Sequence, residues 1–415
     1  MQTNLAPEFS ETREGREADA ILRSCVHCGF CNATCPTYQL LGDELDGPRG
    51  RIYLIKEMLE TGGVTSKTQT HLDRCLTCRN CETTCPSGVQ FGRLVDIGRS
   101  IVERKVGRTA TDATQRWSLR KALLMPSIFG GALMMGRMLK SVLPRGMGSR
   151  IPAGGAAGIW PAPRHRRKML VMEGCVQPSL KPNIDAAAAR VLDRIGISPL
   201  RASDGGGCCG ALSHHLTADE EARAIVRRNI DAWWPLADRD LEAIVVTASG
   251  CGVMVKDYGH FLAQDAAYAD KAKKIAELAR DPIEVVTSEW KTIAPMIALD
   301  QGAQRIAFHP PCTLQHGMKI RGQVEEILLA MGHSLLPVPN SHLCCGSAGT
   351  YSILQPEIAG QLKANKLQAL EASRPDVIAT ANIGCMTHLE SGTRVPVRHW
   401  IELLDTRMFG GPRLA

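Results

Sequence analysis

Eight of the sixteen cysteines of this chain lie at repeated short spacings near its beginning. Three thiolates at intervals of three residues on a tight loop can bind one side of a four-iron cube. A fourth cysteine, followed by proline, turns away to reach a neighbouring cube. The sequence has this pattern twice, as Cys25-x2-Cys28-x2-Cys31-x3-Cys35-Pro36 and as Cys75-x2-Cys78-x2-Cys81-x3-Cys85-Pro86. It therefore predicts two [4Fe-4S] clusters that pass single electrons.

The last cysteine of each run is predicted to be a ligand of the other cluster. Zinc also binds C-x2-C pairs, but it needs only four ligands and explains neither the third regular cysteine nor the repeated Cys-Pro ending. No side chain is predicted to be catalytic. The predicted ligands are Cys25, Cys28, Cys31 and Cys85 for the first cluster, and Cys75, Cys78, Cys81 and Cys35 for the second.

The other eight cysteines form two matching sets of four, each containing a Cys-Cys-Gly sequence. The sets are Cys175, Cys208, Cys209 and Cys251, then Cys312, Cys344, Cys345 and Cys385, with offsets of 137, 136, 136 and 134 residues. In each set the first and last cysteines follow a short apolar strand. This order predicts a duplicated α/β unit with its cysteines at strand ends, where such folds bind ligands.

Four thiolates per unit could bind one further iron–sulfur cluster or one zinc ion, or remain free. Adjacent cysteines chelate a single ion poorly but can contact different irons of one cluster. The nearby histidines could add ligands or could simply be polar loop residues, and the sequence leaves both interpretations open. These histidines are His214, His215, His309, His316 and His388.

The surrounding elements predict an α+β protein with a mostly helical N-terminal ferredoxin domain and a duplicated α/β cysteine-rich part. Asp46 is predicted to cap a helix that begins at Pro48 and ends at Gly62, and a second helix is predicted from Phe91 to Arg104. The predicted parts are the N-terminal domain (residues 15–106), a connector (107–167) helical near Trp117, the first unit (168–300) and the second unit (301–415).

The composition is that of a globular protein, with 44% hydrophobic and 22% charged residues. Aromatic residues make up only 4%, which argues against base stacking and predicts no nucleic-acid partner. The polar residues 1–16 do not resemble a signal peptide, and no run reaches the ~18 apolar residues that span a bilayer. Clustered thiols without export predict a cytoplasmic protein.

Several stretches resemble the family of glycolate oxidase iron–sulfur subunits, and the resemblance covers nearly the whole chain. Their cysteine-rich repeat is similar to that of heterodisulfide reductase subunits. Met254 and His388 occupy positions where those enzymes have a further cysteine, which argues against disulfide chemistry. The stretches are Cys-Val-His-Cys-Gly-Phe-Cys from Cys25, Leu-Gly-Asp-Glu-Leu-Asp-Gly-Pro-Arg-Gly-Arg-Ile from Leu41 to Ile52, and Cys-Gly-Val-Met-Val-Lys-Asp-Tyr from Cys251.

The resemblance implies an electron-transfer subunit of a membrane-associated glycolate dehydrogenase. A flavoprotein subunit carrying FAD would oxidise glycolate to glyoxylate, since this chain shows no flavin or nicotinamide fingerprint. Electrons would continue to the respiratory quinone or its membrane reductase. The alternatives are the matching subunit for lactate or glycerol 3-phosphate, and a heterodisulfide reductase-like enzyme.

A basic run follows the connector and could contact the inner face of the cytoplasmic membrane, or be a solvated or partner-docking surface. The run comprises Arg164, Arg166, Arg167 and Lys168.

Overall fold

The computed structural model describes residues 1–140, 154–202, 205–299 and 302–410. Up to residue 106 the chain is helical. A short 3-10 turn, Glu44–Asp46, precedes the long helix that begins at Pro48. The helices are Pro7–Ser10, Arg13–Ser24, Phe30–Ala33, Pro36–Leu41, Pro48–Thr61, Ser66–Asp73, Asn80–Thr84 and Phe91–Val106.

The two helices predicted in the N-terminal domain are confirmed. Pro48–Thr61 begins with proline in its first turn and ends at Gly62, whose φ of 73° is left-handed. Phe91–Val106 extends slightly beyond its predicted end. The two helices bury Ile55 and Leu94 in one apolar core, in which several cysteines also lie. Their packing therefore fixes the positions from which the cysteine loops start.

Asp46 does not cap the helix, contrary to the sequence expectation. Gly47 is the N-cap, without a side-chain cap bond. The carboxylate of Asp46 is fully buried and accepts hydrogen bonds from Arg74 at 2.8 Å and from Arg51 at 3.4 Å, and it pairs with His71 at 3.0 Å. A buried carboxylate needs such partners, because removing one leaves a buried charge unpaired and lowers the stability of the fold by about 3–5 kcal/mol.

Two four-stranded parallel sheets follow, and they share one topology. The first contains β1 (Arg167–Val171), β2 (Ile197–Leu200), β3 (Ala243–Val245) and β4 (Ala279–Arg280), in the order β2-β1-β3-β4. The second contains β5 (Arg305–His309), β6 (Ser334–Leu335), β7 (Val377–Thr380) and β8 (Val397–His399), in the order β6-β5-β7-β8. The duplicated α/β arrangement and the α+β class are confirmed.

Helices connect and cover these strands. In the first unit they are Gln177–Leu180, Asn183–Arg194, Ala211–His215, Asp219–Ala237, Ser249–Lys256, Tyr258–Phe261, Ala269–Leu278, Pro282–Ser288 and Trp290–Ile293, followed by the 3-10 turn Ala294–Met296. In the second unit they are the π-helical turn Thr313–Gly317 and the α-helices Gln323–Ala330, Tyr351–Leu354, Pro356–Glu371, Ile383–Glu390 and Trp400–Phe409.

In each sheet the strand order reverses between the first and third strands, β1 and β3 or β5 and β7. Ligands of parallel α/β sheets bind at such a switch point, beyond the carboxyl ends of the strands. Cys175 and Cys251 follow the two switch-point strands of the first sheet, and Cys312 and Cys385 follow those of the second. The topology thus brings together cysteines that are distant in sequence.

The connector contains two helices, Ala110–Leu124 and Pro126–Leu139, so its helical part is longer than predicted. The loose segment predicted from Pro144 falls largely on residues 144–153, which lie outside the described residues. Among the described helices, none could span a bilayer alone; these two meet the length and composition criteria only jointly, and they bend by 91° where they join. The domain boundaries stay predictions.

Candidate iron–sulfur sites and Cys-Cys-Gly loops

The two cysteine loops of the N-terminal domain adopt the same unusual backbone conformation. His27 (φ 55°) and Thr77 (φ 52°) occupy equivalent places between the first two cysteines of each loop, and both are left-handed. Arg79 (φ 58°), just after Cys78, is left-handed as well. Each non-glycine residue in this left-handed conformation destabilises the folded chain by about 1–3 kcal/mol. The conformation winds the loop tightly, and the Thr77 N–H donates to Cys75 Sγ at 3.4 Å.

The first loop lines a pocket of about 430 Å³, a volume that includes open solvent at its mouth. We call this pocket the first cavity. All four cysteines predicted for the first cluster line it, although Cys85 comes from the second run. Cys81, Arg49 and Phe91 complete much of the wall. The lining cysteines are Cys25, Cys28, Cys31, Cys81 and Cys85.

A second cavity, of about 360 Å³ with open solvent again included, lies beside the first. It brings Cys35 from the first run to three cysteines of the second, and Arg51 and Arg79 line it too. Cys81 lines both cavities, so the two sites are direct neighbours. The lining cysteines are Cys35, Cys75, Cys78 and Cys81, the set predicted for the second cluster.

The donor chemistry of both cavities fits an iron–sulfur cluster. Burial, followed by the nearby Cys25 and Cys85 thiolates, raises the pKa of Cys31 to about 11. Burial likewise raises the pKa of Cys78 and Cys81 well above its usual range. Crowded, desolvated thiols resist ionisation unless a metal compensates their charge. These residues therefore suit a cationic iron core.

Two arginines donate hydrogen bonds to residues that line the second cavity. Arg99 donates to the Cys75 carbonyl at 2.6 Å and to Thr77 Oγ1 at 2.9 Å, and thus fixes the loop conformation. Arg51 donates to Thr37 Oγ1, which lies 3.3 Å from Cys35 Sγ. Because cluster potentials depend on nearby charge and on hydrogen bonds to sulfur, these cations favour the reduced state.

The second cavity abuts the second unit, a contact that sequence reasoning missed. After burial, the charge of Cys344 is the main factor that raises the pKa of Cys78. Cys78, Cys312 and Cys344 belong to one apolar cluster, and the Tyr351 hydroxyl donates to the Arg74 carbonyl at 2.9 Å. These contacts join residues more than two hundred positions apart, which no local pattern signals.

The two Cys-Cys-Gly loops are near copies of each other. Gly210 and Gly346 both have φ of 89°, and a Cβ on Gly346 would lie 2.8 Å from the Ala359 carbonyl oxygen. Each glycine N–H donates to the first sulfur of its pair, Cys208 or Cys344, at 3.4 Å. The left-handed turn therefore favours glycine in both loops, and at Gly346 the close approach requires it as well.

Hydrogen bonds between thiols also set the ionisation of each unit. The thiol of Cys175 donates to Cys208 and lowers the pKa of Cys208 to about 4. The thiol of Cys345 likewise lowers the pKa of Cys385 to about 5. In the second unit the Sγ atoms of Cys312 and Cys344 lie 3.9 Å apart. In each unit, therefore, ionisation of one thiol is favoured while its hydrogen-bonded neighbour, Cys175 or Cys345, has a raised pKa and keeps its proton.

The histidines near these loops differ in the residues that they contact. His214 pairs with Asp219 at 2.9 Å and with Asp96 at 3.5 Å, and His316 bonds to Thr83 Oγ1 at 2.8 Å, so both join the units to the rest of the fold. His215 is near His214, with ring centroids 5.7 Å apart.

His309 and His388 each have a buried ring nitrogen without a hydrogen-bond partner. Only His309 has its ring beside two of the thiols, those of Cys345 and Cys385.

Comparison with known proteins agrees with this arrangement. Residues 21–89 match the family described as 4Fe-4S dicluster domain, and residues 169–256 and 306–390 match the family described as Cysteine-rich domain. The chain is 54% identical to the glycolate oxidase iron-sulfur subunit of Escherichia coli (strain K12), over 98% of each chain.

More distant relatives match as well. The chain is 27% identical to the probable glycolate oxidase iron-sulfur subunit of Bacillus subtilis (strain 168), over 93% of this chain and 91% of that protein. It is 24% identical to lactate utilization protein A of the same organism, over 58% of this chain and all of that protein.

Paired substitutions distinguish crossed from local ligation. If Cys85 serves the first cavity, C25S/C85S removes one cluster and leaves about four irons, whereas C75S/C85S removes both and leaves almost none. Iron and sulfide analysis of anaerobically purified variants measures this. Local ligation would give the reverse: C75S/C85S would keep about four irons and C25S/C85S would lose nearly all.

Proposed function

The chain belongs to the family of glycolate oxidase iron–sulfur subunits, and from this premise we propose that it is the electron-transfer subunit of a glycolate-oxidising complex. The observation that carries the proposal is the pair of adjoining cavities, which share Cys81 and are lined by five and four cysteines respectively. When bound, the two [4Fe-4S] clusters supply one-electron transfer between a two-electron flavin and an acceptor.

The substrate site belongs to a partner in this proposal. A flavoprotein subunit with bound FAD removes a hydride from glycolate and forms glyoxylate. The name of the relative from Escherichia coli and its similarity over the full length of both chains support glycolate. The lactate utilization relatives match only part of this chain, which makes lactate the weaker candidate.

The first cavity lies on the side where such a partner can dock. Its ligand Cys28 is exposed, whereas Cys25 and the second-cavity ligand Cys81 are buried. Around Cys28 three large apolar side chains face solvent: Val26 is 67% exposed, Phe30 61% and Tyr53 52%. Exposed aromatic and aliphatic groups around a redox ligand fit a protein interface. We name Val26, Phe30 and Tyr53 the input face.

The second cavity faces the interior, where the N-terminal domain and both units meet. A further cleft opens there, lined by Cys78, Arg79, Asp96, His214 and Thr313 among others. Its position beside Cys78 supports electron output on this side, toward the respiratory quinone or its membrane reductase. The thiols of the two Cys-Cys-Gly units could hold a further cluster or zinc near this output.

The connector supports a peripheral position on the inner face of the cytoplasmic membrane. Helix Pro126–Leu139 has no buried residue and exposes Met134, Met135 and Met138 at helical spacing. Its C-terminal part carries Arg137. An exposed apolar stripe beside basic residues suits an interface with anionic lipid, and the formal charge of +7 adds attraction.

The input face gives the most direct test of the proposed function. Phe30→Asp places a charge in the interface, so we expect reduction of this chain by glycolate and the flavoprotein partner to slow at least tenfold. A tenfold loss corresponds to about 1.4 kcal/mol of binding. Stopped-flow bleaching of the iron–sulfur absorbance in the reconstituted complex measures the rate.

Leu329→Asp is the matched control, because Leu329 is 53% exposed on the second unit, in a part of the chain that lines neither cavity. It should keep the wild-type rate, and both variants should keep the wild-type iron content. Wild-type speed for Phe30→Asp would rule out the input face. A wild-type complex reduced by lactate but not by glycolate would refute the proposed substrate.

The membrane contact is tested with vesicles containing anionic phosphatidylglycerol. Replacing Met134, Met135 and Met138 by Gln removes the apolar stripe, so co-sedimentation should fall severalfold relative to wild type. Leu329→Gln should leave co-sedimentation unchanged. Equal sedimentation of the triple variant and wild type would contradict this contact.

A further inference from the structure

His309 is a buried imidazole whose polar contact is with the thiol of Cys385. It is the last residue of β5 and 1% exposed, and neither Nδ1 nor Nε2 bonds to a nitrogen or oxygen atom of the described residues. Leaving a buried polar group unsatisfied costs about 1–3 kcal/mol. A buried ring with no nitrogen or oxygen partner, placed beside thiols at a sheet switch point, indicates a ligand rather than a packing residue.

Two thiols lie beside this ring. A ring nitrogen of His309, Cys345 Sγ and Cys385 Sγ all lie within 4.8 Å of one another, and all three residues are buried. In a tetrahedral zinc site, bond lengths of about 2.0–2.3 Å place neighbouring ligand atoms roughly 3.5–3.8 Å apart. The three atoms are thus near the spacing that a single ion requires.

The other cysteine sites in the described part of the chain do not bring three ligand atoms so close together. Within the described ranges, none of the eight cysteines of the N-terminal domain belongs to a group of three ligand atoms this close, so their sulfur atoms are spread more widely than a single ion requires. The first unit does not form such a group either. At the position that matches His309, after β1, it has Met172, whose thioether packs in the apolar core.

We propose that the second unit binds one mononuclear metal ion of the zinc class through His309, Cys345 and Cys385. The fourth position is open to Cys344 or Cys312. The cysteine ligands bind as thiolates, with any remaining thiol proton passing to solvent, and the imidazole binds in its neutral form. The two units are then inequivalent, since the first lacks the nitrogen ligand.

Surrounding residues hold these ligands in place. The Thr380 hydroxyl donates to the His309 carbonyl at 3.0 Å, and Asn382 Nδ2 lies 3.6 Å from Cys385 Sγ as a donor. Hydrogen bonds of this kind orient metal ligands. The ion would fix the end of β5 and the Cys-Cys-Gly loop together, and this loop forms the wall next to Cys78.

The test measures metal content and spectra of the full chain, independently of the proposed function. Wild type should hold about one zinc per chain after purification. His309→Ala should lower zinc occupancy at least tenfold, whereas His309→Cys, which restores a ligand, should retain it. Co²⁺ substituted for zinc should give intense tetrahedral bands in wild type and lose them in His309→Ala.

His388→Ala is the matched control. His388 lies one helical turn after Cys385 and also has an unpartnered nitrogen, but it is outside the ligand group. Cys251→Ser removes the matching thiol of the first unit. Both variants should keep zinc and the cobalt spectrum.

Three results would overturn the proposal: no zinc in wild type, unchanged zinc in His309→Ala, or iron that is lost with His309, which would indicate a cluster. Circular dichroism checks folding. If His309→Ala unfolds, His309→Gln replaces it, and undiminished cobalt bands in that variant would equally contradict the proposal.

Discussion

The cost of ionising thiols that are both buried and crowded is the constraint on which the rest of this structure depends. Two unit charges about 4 Å apart interact by about 4 kcal/mol at an effective dielectric constant of 20. The raised pKa values of Cys31, Cys78 and Cys81 show how strongly burial and neighbouring sulfur disfavour the ionised form. Metal binding relieves this repulsion, so assembly of the sites and folding of their loops are linked.

The architecture keeps these thiols together by two different means. In the N-terminal domain, left-handed residues such as His27 and Thr77 wind each loop, and buried Asp46 and Arg51 tie the supporting helices together. In the duplicated units, parallel sheets bring strand ends to a common switch point. The first cavity lies beneath exposed apolar side chains, whereas the second lies against the second unit. The proposed electron relay therefore has one site near the surface and one site in the interior.

Much of this could be predicted from sequence because its signals are local or repeated. Cysteine spacing predicted which cysteines line each cavity, and helical periodicity predicted the helices from Pro48 and Phe91. The isolation of His309 and the contact of Cys78 with Cys344 could not be predicted, because they depend on the packing of distant segments. Asp46 was misassigned as a cap because a carboxylate before Pro48 looks the same in sequence whether it caps a helix or pairs with buried Arg51.

The most direct measurement is low-temperature EPR of anaerobically purified, fully reduced protein, combined with iron and sulfide analysis. Two cubes on either side of Cys81 should give about eight irons, equal sulfide and a spectrum broadened by magnetic interaction between two reduced clusters. A folded preparation with zinc in these cavities, no sulfide and no EPR signal would contradict the account.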